Sequence, residues 1–466
     1  MNKSFFLIIL SFLFITSCSD FLNESPSSSL PTDEAISSVK DLHNALNGVY
    51  YFQSGDWEVR GTYSSDFTIA ADLRGGDFEP KGTYNQIAPI GRYTVDAAHI
   101  ITEDLYRMFY YSIGKINSIL STIESVPIEP GEETEYRNLQ GELYALRALF
   151  HFDLARLYAR LPSTTDVNAA KSGIVISDQV FPADYKGPRS TIAETYQFIL
   201  NDINTALPLL TKDKSLGRIN YWAAKGIQAR AYLYLENNAE ALQAAEEIIN
   251  DSPYQLYTIA DYTTVWDQEG TSESLFEILN TINYNAQRNS LGYYTHAEGY
   301  HECGLTSAFL SELENRADDV RSSMIKYEDS PASAAAYYPQ KYQGRGGSIY
   351  VNNPKIIRLS EVYLIAAEAA LKSSQGGKAD SYVNTLRSNR IENYTDVSGV
   401  TIDDILTERR LELFTEGHNA WDYWRNKQSV VNTTVGEVNY DDYRTVFPIP
   451  RRELEIDPDL GQNNSY

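Results

Sequence analysis

Cysteine is nearly absent: the 466-residue chain has two, Cys18 and Cys303. If Cys18 is used for something else, no intrachain disulfide can form, and the fold rests on a buried core that a chain of this length can supply. Methionine and histidine are scarce too, with 3 and 6 residues. Of the histidines His43, His99, His151, His296, His301 and His418, only His296 and His301 are near neighbours. This is no metal-ligand pattern, so neither a metal nor a cofactor is expected. HExxH, GxSxG and a phosphate-cradling glycine loop are all missing, which removes the usual signatures of zinc, serine and nucleotide enzymes. Positive charge is in short supply, 39 Lys and Arg against 63 Asp and Glu, for a formal net charge of −24. Such a surface repels phosphate backbones and anionic lipid heads, which argues against a nucleic-acid partner. Past the first residues, no apolar run is long enough to span a bilayer.

The first residues are a different matter. Lys3 precedes an apolar run, Phe5 to Ile15, of signal-peptide length, and Ile15-Thr16-Ser17-Cys18 resembles a lipobox. The expectation is a lipoprotein signal peptide over 1–17, cut before Cys18, with lipid attached to Cys18. Residues 18–36 then form a tether, polar and aperiodic at Ser25–Pro31 (SPSSSLP), and 37–466 form a single domain. Ser19-Asp20, directly after the cysteine, suggests display on the external face of an outer membrane.

Helical periodicity dominates the rest. Ser37 to Tyr51 places Val39, Leu42, Leu46 and Tyr50 on one face, and Leu105 to Ile123 does the same with Phe109, Ile113, Ile116 and Leu120. In Gly141–Ala159 the apolar face includes Arg147, and in Asp404–Arg425 it includes Arg409. A buried arginine demands a carboxylate. Glu412 and Glu416 are the expected partners of Arg409, and the same group is a plausible partner for Arg147. That second helix is expected to stop at Glu416-Gly417-His418, with Trp421, Tyr423 and Trp424 as an anchor behind it. Tyr221–Pro253 carries Ala229, Tyr232, Ala241 and Pro253 at the spacing of a tetratricopeptide hairpin. Pro354–Arg390 echoes it through Ala367, Ala370 and Ala379. The expected fold is therefore mainly α, a tetratricopeptide-like scaffold of helical hairpins with long, loop-rich insertions at about 52–99 and 262–349.

Those insertions hold much of what is abundant here, 35 tyrosines in all. Sugar rings present C–H faces to aromatic planes and hydroxyls to short polar side chains, Arg and Asp. Trp57, Tyr84 and Tyr93 in the first insertion and Tyr293 and Tyr294 in the second are the candidate stacking residues. Tyr144, Tyr158, Tyr232, Tyr234 and Tyr363 lie in helices and are expected to be packing residues.

ERRLELFTEGHNAWDYWR, ending at Arg425, is similar to the C-terminal signature of the SusD/RagB family of outer-membrane nutrient-binding lipoproteins. Val446–Tyr466 (VFPIPRRELEIDPDLGQNNSY) resembles the family's closing segment, and Gly141–Ala159 resembles one of its helices. Asn419 departs from the pattern, since the family often has Arg there, and this alters the local ion pairing. The resemblance implies a glycan-binding, non-enzymatic lipoprotein that hands nutrient to a SusC-like TonB-dependent transporter. It also implies that Asp66, Asp72 and Arg74, in SSDFTIAADLRGGD, lie near ligand, with turn stabilisation as the alternative for the aspartates. Binding of peptides or another nutrient by the same architecture is the alternative function. A glycoside hydrolase is less favoured, because the Glu408/Glu412/Glu416 cluster sits beside arginines that hold carboxylates ionised.

Overall fold

Ser38 opens the first helix by accepting the N–H of Asp41 on its hydroxyl, and Val39, Leu42, Leu46 and Val49 disappear into the core behind it. The computed structural model describes residues 35–55, 62–182, 184–331 and 333–466. The expected signal peptide, Cys18, most of the tether and Trp57 lie outside them.

In chain order, α1 (Val39–Ser54) is followed by α2 (Asp66–Gly75), β1 (Phe78–Pro80), α3 (Ala88–Gly91), α4 (Ile100–Thr122) and α5 (Glu133–Tyr158). Next come α6 (Ile192–Ala206), α7 (Tyr221–Tyr234), α8 (Asn238–Asp251), β2 (Ser274–Glu277), α9 (Leu291–Thr295) and β3 (Cys303–Leu305). The chain goes on through α10 (Ser307–Glu314), β4 (Ile325–Ser330), β5 (Ser333–Pro339), β6 (Lys355–Arg358), α11 (Leu359–Lys372) and α12 (Gly376–Ser388). It closes with α13 (Ile402–Leu413), α14 (Asn419–Arg425), β7 (Val430–Asn432), β8 (Gly436–Val438) and α15 (Arg451–Ile456).

The scaffold is a succession of packed helices, α4 on α5, α5 on α6, α7 on α8 and α11 on α12, with α8 also against α11. Ala229, Ala241, Ala367, Ala370 and Ala379 are all fully buried. Small residues at these seams let neighbouring helices approach closely, as the tetratricopeptide-like spacing requires. Among the described residues, strands pair as two-stranded antiparallel ribbons: β1–β3, β2–β6, β4–β5 and β7–β8.

The 52–99 insertion is more ordered than its composition implies, because it contains α2. Every residue from Asp66 to Arg74 is buried. A helix covered on all sides shows no amphipathic period, which is why the pattern reads as a loop.

The buried charges are present, but with different partners. Arg409 meets Asp422 at 2.7 Å, and Arg147 meets Asp202 at 2.7 Å. Helix α13 ends at Leu413, earlier than Gly417. Lys341 takes the carbonyls of Glu412 and Phe414 at 2.7 and 3.1 Å, so cations satisfy the carbonyls that a glycine cap would have left to its own N–H groups. The chain then turns through Thr415 (φ 64°) and Gly417 (φ 82°), and α14 comes back to place Asp422 on Arg409. Glu412 and Glu416 serve other cations: Arg358 lies 2.6 Å from each, Arg390 is 2.9 Å from Glu412, and Lys341 is 2.7 Å from Glu416. Asn419 directs its amide to Asp77 at 2.6 Å, and Arg410 holds the same carboxylate at 2.5 Å.

Candidate functional site

Two backbone N–H groups, of Gln86 and Ile87, each donate to the Glu302 carboxylate at 2.8 Å. This pins the loop between β1 and α3 onto the segment between α9 and β3. Gly82 makes the approach possible: a Cβ there would fall 2.3 Å from Glu302 Cγ and 2.8 Å from the Tyr300 carbonyl. The second segment is folded on itself by the N–H of Tyr300 on the Tyr293 carbonyl (2.7 Å) and that of Glu302 on the Tyr294 carbonyl (2.8 Å). Burial raises the Glu302 carboxyl pKa, and the two N–H donors act against that rise.

The clamp gathers tyrosines. Tyr84, more than half exposed, meets Tyr300 at 4.9 Å between ring centroids, and Tyr293 meets Tyr300 edge-on at 4.7 Å. Tyr350 lies 5.3 Å from Tyr293, tilted by 31°. Tyr294 lies under this layer, fully buried, nearly parallel to Tyr300 at 6.1 Å. A bridge between Gly82 and Ser333 ties the same loop to the β4–β5 ribbon, on which Tyr327 and Tyr337 are exposed and in edge contact at 5.3 Å. Tyr84 is exposed and Tyr293, Tyr300 and Tyr350 are half-buried, and aromatic faces held in this way suit the C–H faces of sugar rings.

Of the residues proposed from sequence, the structure brings Tyr84, Tyr293 and Tyr294 together, with Tyr294 as the supporting layer. Asp72 and Arg74 go elsewhere: both lie inside α2, fully buried. Burial first, and Asp77 second, push the Asp72 carboxyl well above the usual carboxylate range. Arg74 stacks between Trp424 and Phe447, each ring 4.8 Å from its guanidinium carbon, and donates to the Arg444 carbonyl at 2.5 Å. Tyr93, half-buried, donates its hydroxyl to the Arg74 carbonyl at 2.5 Å. All three pack into the interior, Asp72 and Arg74 because α2 is buried on all sides. Asp66 is buried in the same helix. Tyr300 and Tyr350 were not singled out by sequence. Tyr350 stands one position outside the expected 262–349 insertion, and Tyr300 is flanked by a glycine and a histidine, with no period to mark it.

The comparisons with known proteins agree with this architecture. Residues 20–233 match a family model described as starch-binding associating with outer membrane, and residues 250–466 match that of the SusD family. A SusD superfamily protein from Bacteroides thetaiotaomicron shares 30% identity, covers 91% of this chain and 99% of its own, and superposes with a TM-score of 0.84. SusD-like protein P38 of Formosa agariphila is 24% identical across 99% of this chain and 98% of that protein. A laminarin binding SusD-like protein, 20% identical with a TM-score of 0.75, shares the fold. The chain belongs to the SusD family of binding proteins, which associate with the outer membrane. Among the described residues, no helix is long and apolar enough to cross a membrane.

Proposed function

We propose that this protein is a lipid-anchored, cell-surface glycan-binding protein that captures an oligo- or polysaccharide and passes it to a TonB-dependent outer-membrane transporter. The observation that carries this reading is the partly exposed cluster of Tyr84, Tyr293, Tyr300 and Tyr350, held by the Glu302 clamp. The laminarin-binding relative of the same fold supports a glucan or related polysaccharide as ligand class. The lipobox-like Ile15–Cys18 supports the anchor, and membership of the SusD family supports a transporter partner.

In this reading the helical scaffold is rigid and affinity resides in the tyrosine surface, extended along the β4–β5 ribbon by Tyr327 and Tyr337. The test is affinity electrophoresis through gels containing starch or laminarin, followed by a glycan array. Retardation in at least one polysaccharide gel, or a specific array signal, is expected. A flat array together with saturable binding of a peptide library would replace the glycan with a peptide ligand.

A further inference from the structure

Buried arginines in this protein keep company with carboxylates. Arg147, Arg156, Arg230, Arg321, Arg358, Arg390, Arg409 and Arg425 each have one within salt-bridge distance. Arg74 has its aromatic box. Arg189 has neither. It is 8% exposed, and it donates to neutral acceptors: the carbonyls of Gly173 (2.9 Å), Gly461 (3.4 Å) and Tyr158 (3.5 Å), and the Asn463 side-chain oxygen (2.8 Å).

Arg189 lines a cavity of about 330 Å³ between the α5–α6 connection and the C-terminal segment. Arg160 and Lys171 line it too, and none of its lining residues is Asp or Glu. These two cations also donate to neutral groups, Arg160 to the Asp441 carbonyl at 2.8 Å and Lys171 to the Asp459 carbonyl. Asp442 feels Arg160 but is itself bound by Arg444 at 2.6 Å. Lys171 is held at φ 59°, a conformation that costs a non-glycine residue about 1 kcal/mol or more and persists only when its surroundings demand it. Ser172, Gln462 and Asn464 supply neutral hydrogen-bonding groups around the wall.

Buried Arg189, half-buried Arg160 and exposed Lys171, none with a carboxylate partner among the described residues, line one cavity of a chain with net charge −24 and leave a place for an anion from outside. We propose that this cavity is a second binding site, separate from the tyrosine surface, for a sugar-borne oxyanion: the carboxylate of a uronic acid or a sulfate ester. The volume lies at the lower end of the range for small-ligand sites and fits about one monosaccharide. The sugar part of this inference rests on the proposed glycan function; the oxyanion part rests on the cavity alone.

The experiment is calorimetry on detergent-solubilised full-length protein with four probes: glucuronate, glucose 6-sulfate, inorganic sulfate and neutral glucose. Saturable heats are expected with glucuronate or glucose 6-sulfate and none with glucose. Arg160→Gln combined with Lys171→Asn is expected to weaken that binding by about tenfold or more. Asparagine tolerates the left-handed conformation, so the double variant should melt no more than a few degrees from wild type. Arg189→Lys, which keeps the charge but loses the planar fork, is expected to weaken binding less than the double variant does. The idea is overturned if neither acidic sugar binds, or if the double variant binds them as well as wild type. Inorganic sulfate binding as tightly as glucose 6-sulfate would overturn the sugar-borne part. Retardation of the double variant in starch or laminarin gels reports on the tyrosine surface independently, and binding of the acidic probes by Tyr84→Ala reports on the cavity independently.

Discussion

Replacing Arg358 with methionine is expected to be among the most damaging single changes in this protein. Its guanidinium lies 2.6 Å from Glu416, 2.6 Å from Glu412 and 2.9 Å from Glu273, with all four side chains essentially inaccessible to solvent. Each carboxylate retains another cation: Lys341 for Glu416, and Arg390 for both Glu412 and Glu273. The loss is therefore of charge balance, not of every contact. Removing one member of a buried pair costs about 3–5 kcal/mol. Glu416→Ala leaves Arg358 with two carboxylates and belongs at the low end, about 3 kcal/mol. The two residues touch, so the double variant should fall short of the sum by about 0.5–3 kcal/mol. Urea unfolding followed by the fluorescence of buried Trp266, Trp421 and Trp424 reads all three values. Arg107→Ala is the control, because its pair with Asp104 is exposed and worth at most about 1 kcal/mol. Single-variant losses below about 1 kcal/mol, or strict additivity, would refute the reasoning.

Other expectations follow from the same geometry. Glu368, Glu408 and Glu412 are buried, which alone would raise their pKa values, yet the arginines around them hold all three well below the carboxylate range. Their stabilisation is complete above the unfolded value near 4.5 and drains away as pH falls below it. His151, whose pKa burial lowers to about 3, adds a cost that grows as pH falls from about 6.5, so melting temperature should drop steeply between about pH 6 and 3. Asp77 works the other way: burial raises it to about 6, so its cost is absent below about pH 3.8 and complete above 6, and it flattens the upper part of that curve. Gly82→Ala forces a methyl against Glu302 and the Tyr300 carbonyl, and should cost about 1–3 kcal/mol and weaken polysaccharide retardation, measured by melting and by gel. Cys18→Ala should abolish incorporation of labelled palmitate and release the protein from the outer-membrane fraction.

The helical scaffold was legible because its helices are amphipathic: Leu42, Leu46, Ile113 and Leu146 repeat at helical spacing and are all buried. That Arg147 and Arg409 are buried was legible for the same reason. Their partners were not, because Asp202 lies on another helix and Asp422 beyond a turn whose course depends on Lys341. Helix α2 was invisible because it is covered on every side, and this sent Asp72 and Arg74 to the interior. Within the site, Tyr84 and Tyr293 could be chosen by composition and segment. Tyr300 joins Tyr293 through a turn with no period to mark it, and the clamp at Glu302 and the packing of Tyr350 on Tyr293 add contacts between distant parts of the chain.

Glycan affinity is expected to reside on the clamped tyrosine surface. Its most direct measurement is calorimetry of a Tyr84→Ala/Tyr293→Ala variant against the glycan selected by the array, with Tyr232→Phe in the helical scaffold as control. Each stacking platform is worth about 0.5–1.5 kcal/mol beyond the area it buries, so the double variant should lose most of its affinity while the control retains it. Unchanged affinity in the double variant, with its melting temperature also unchanged, would contradict the account.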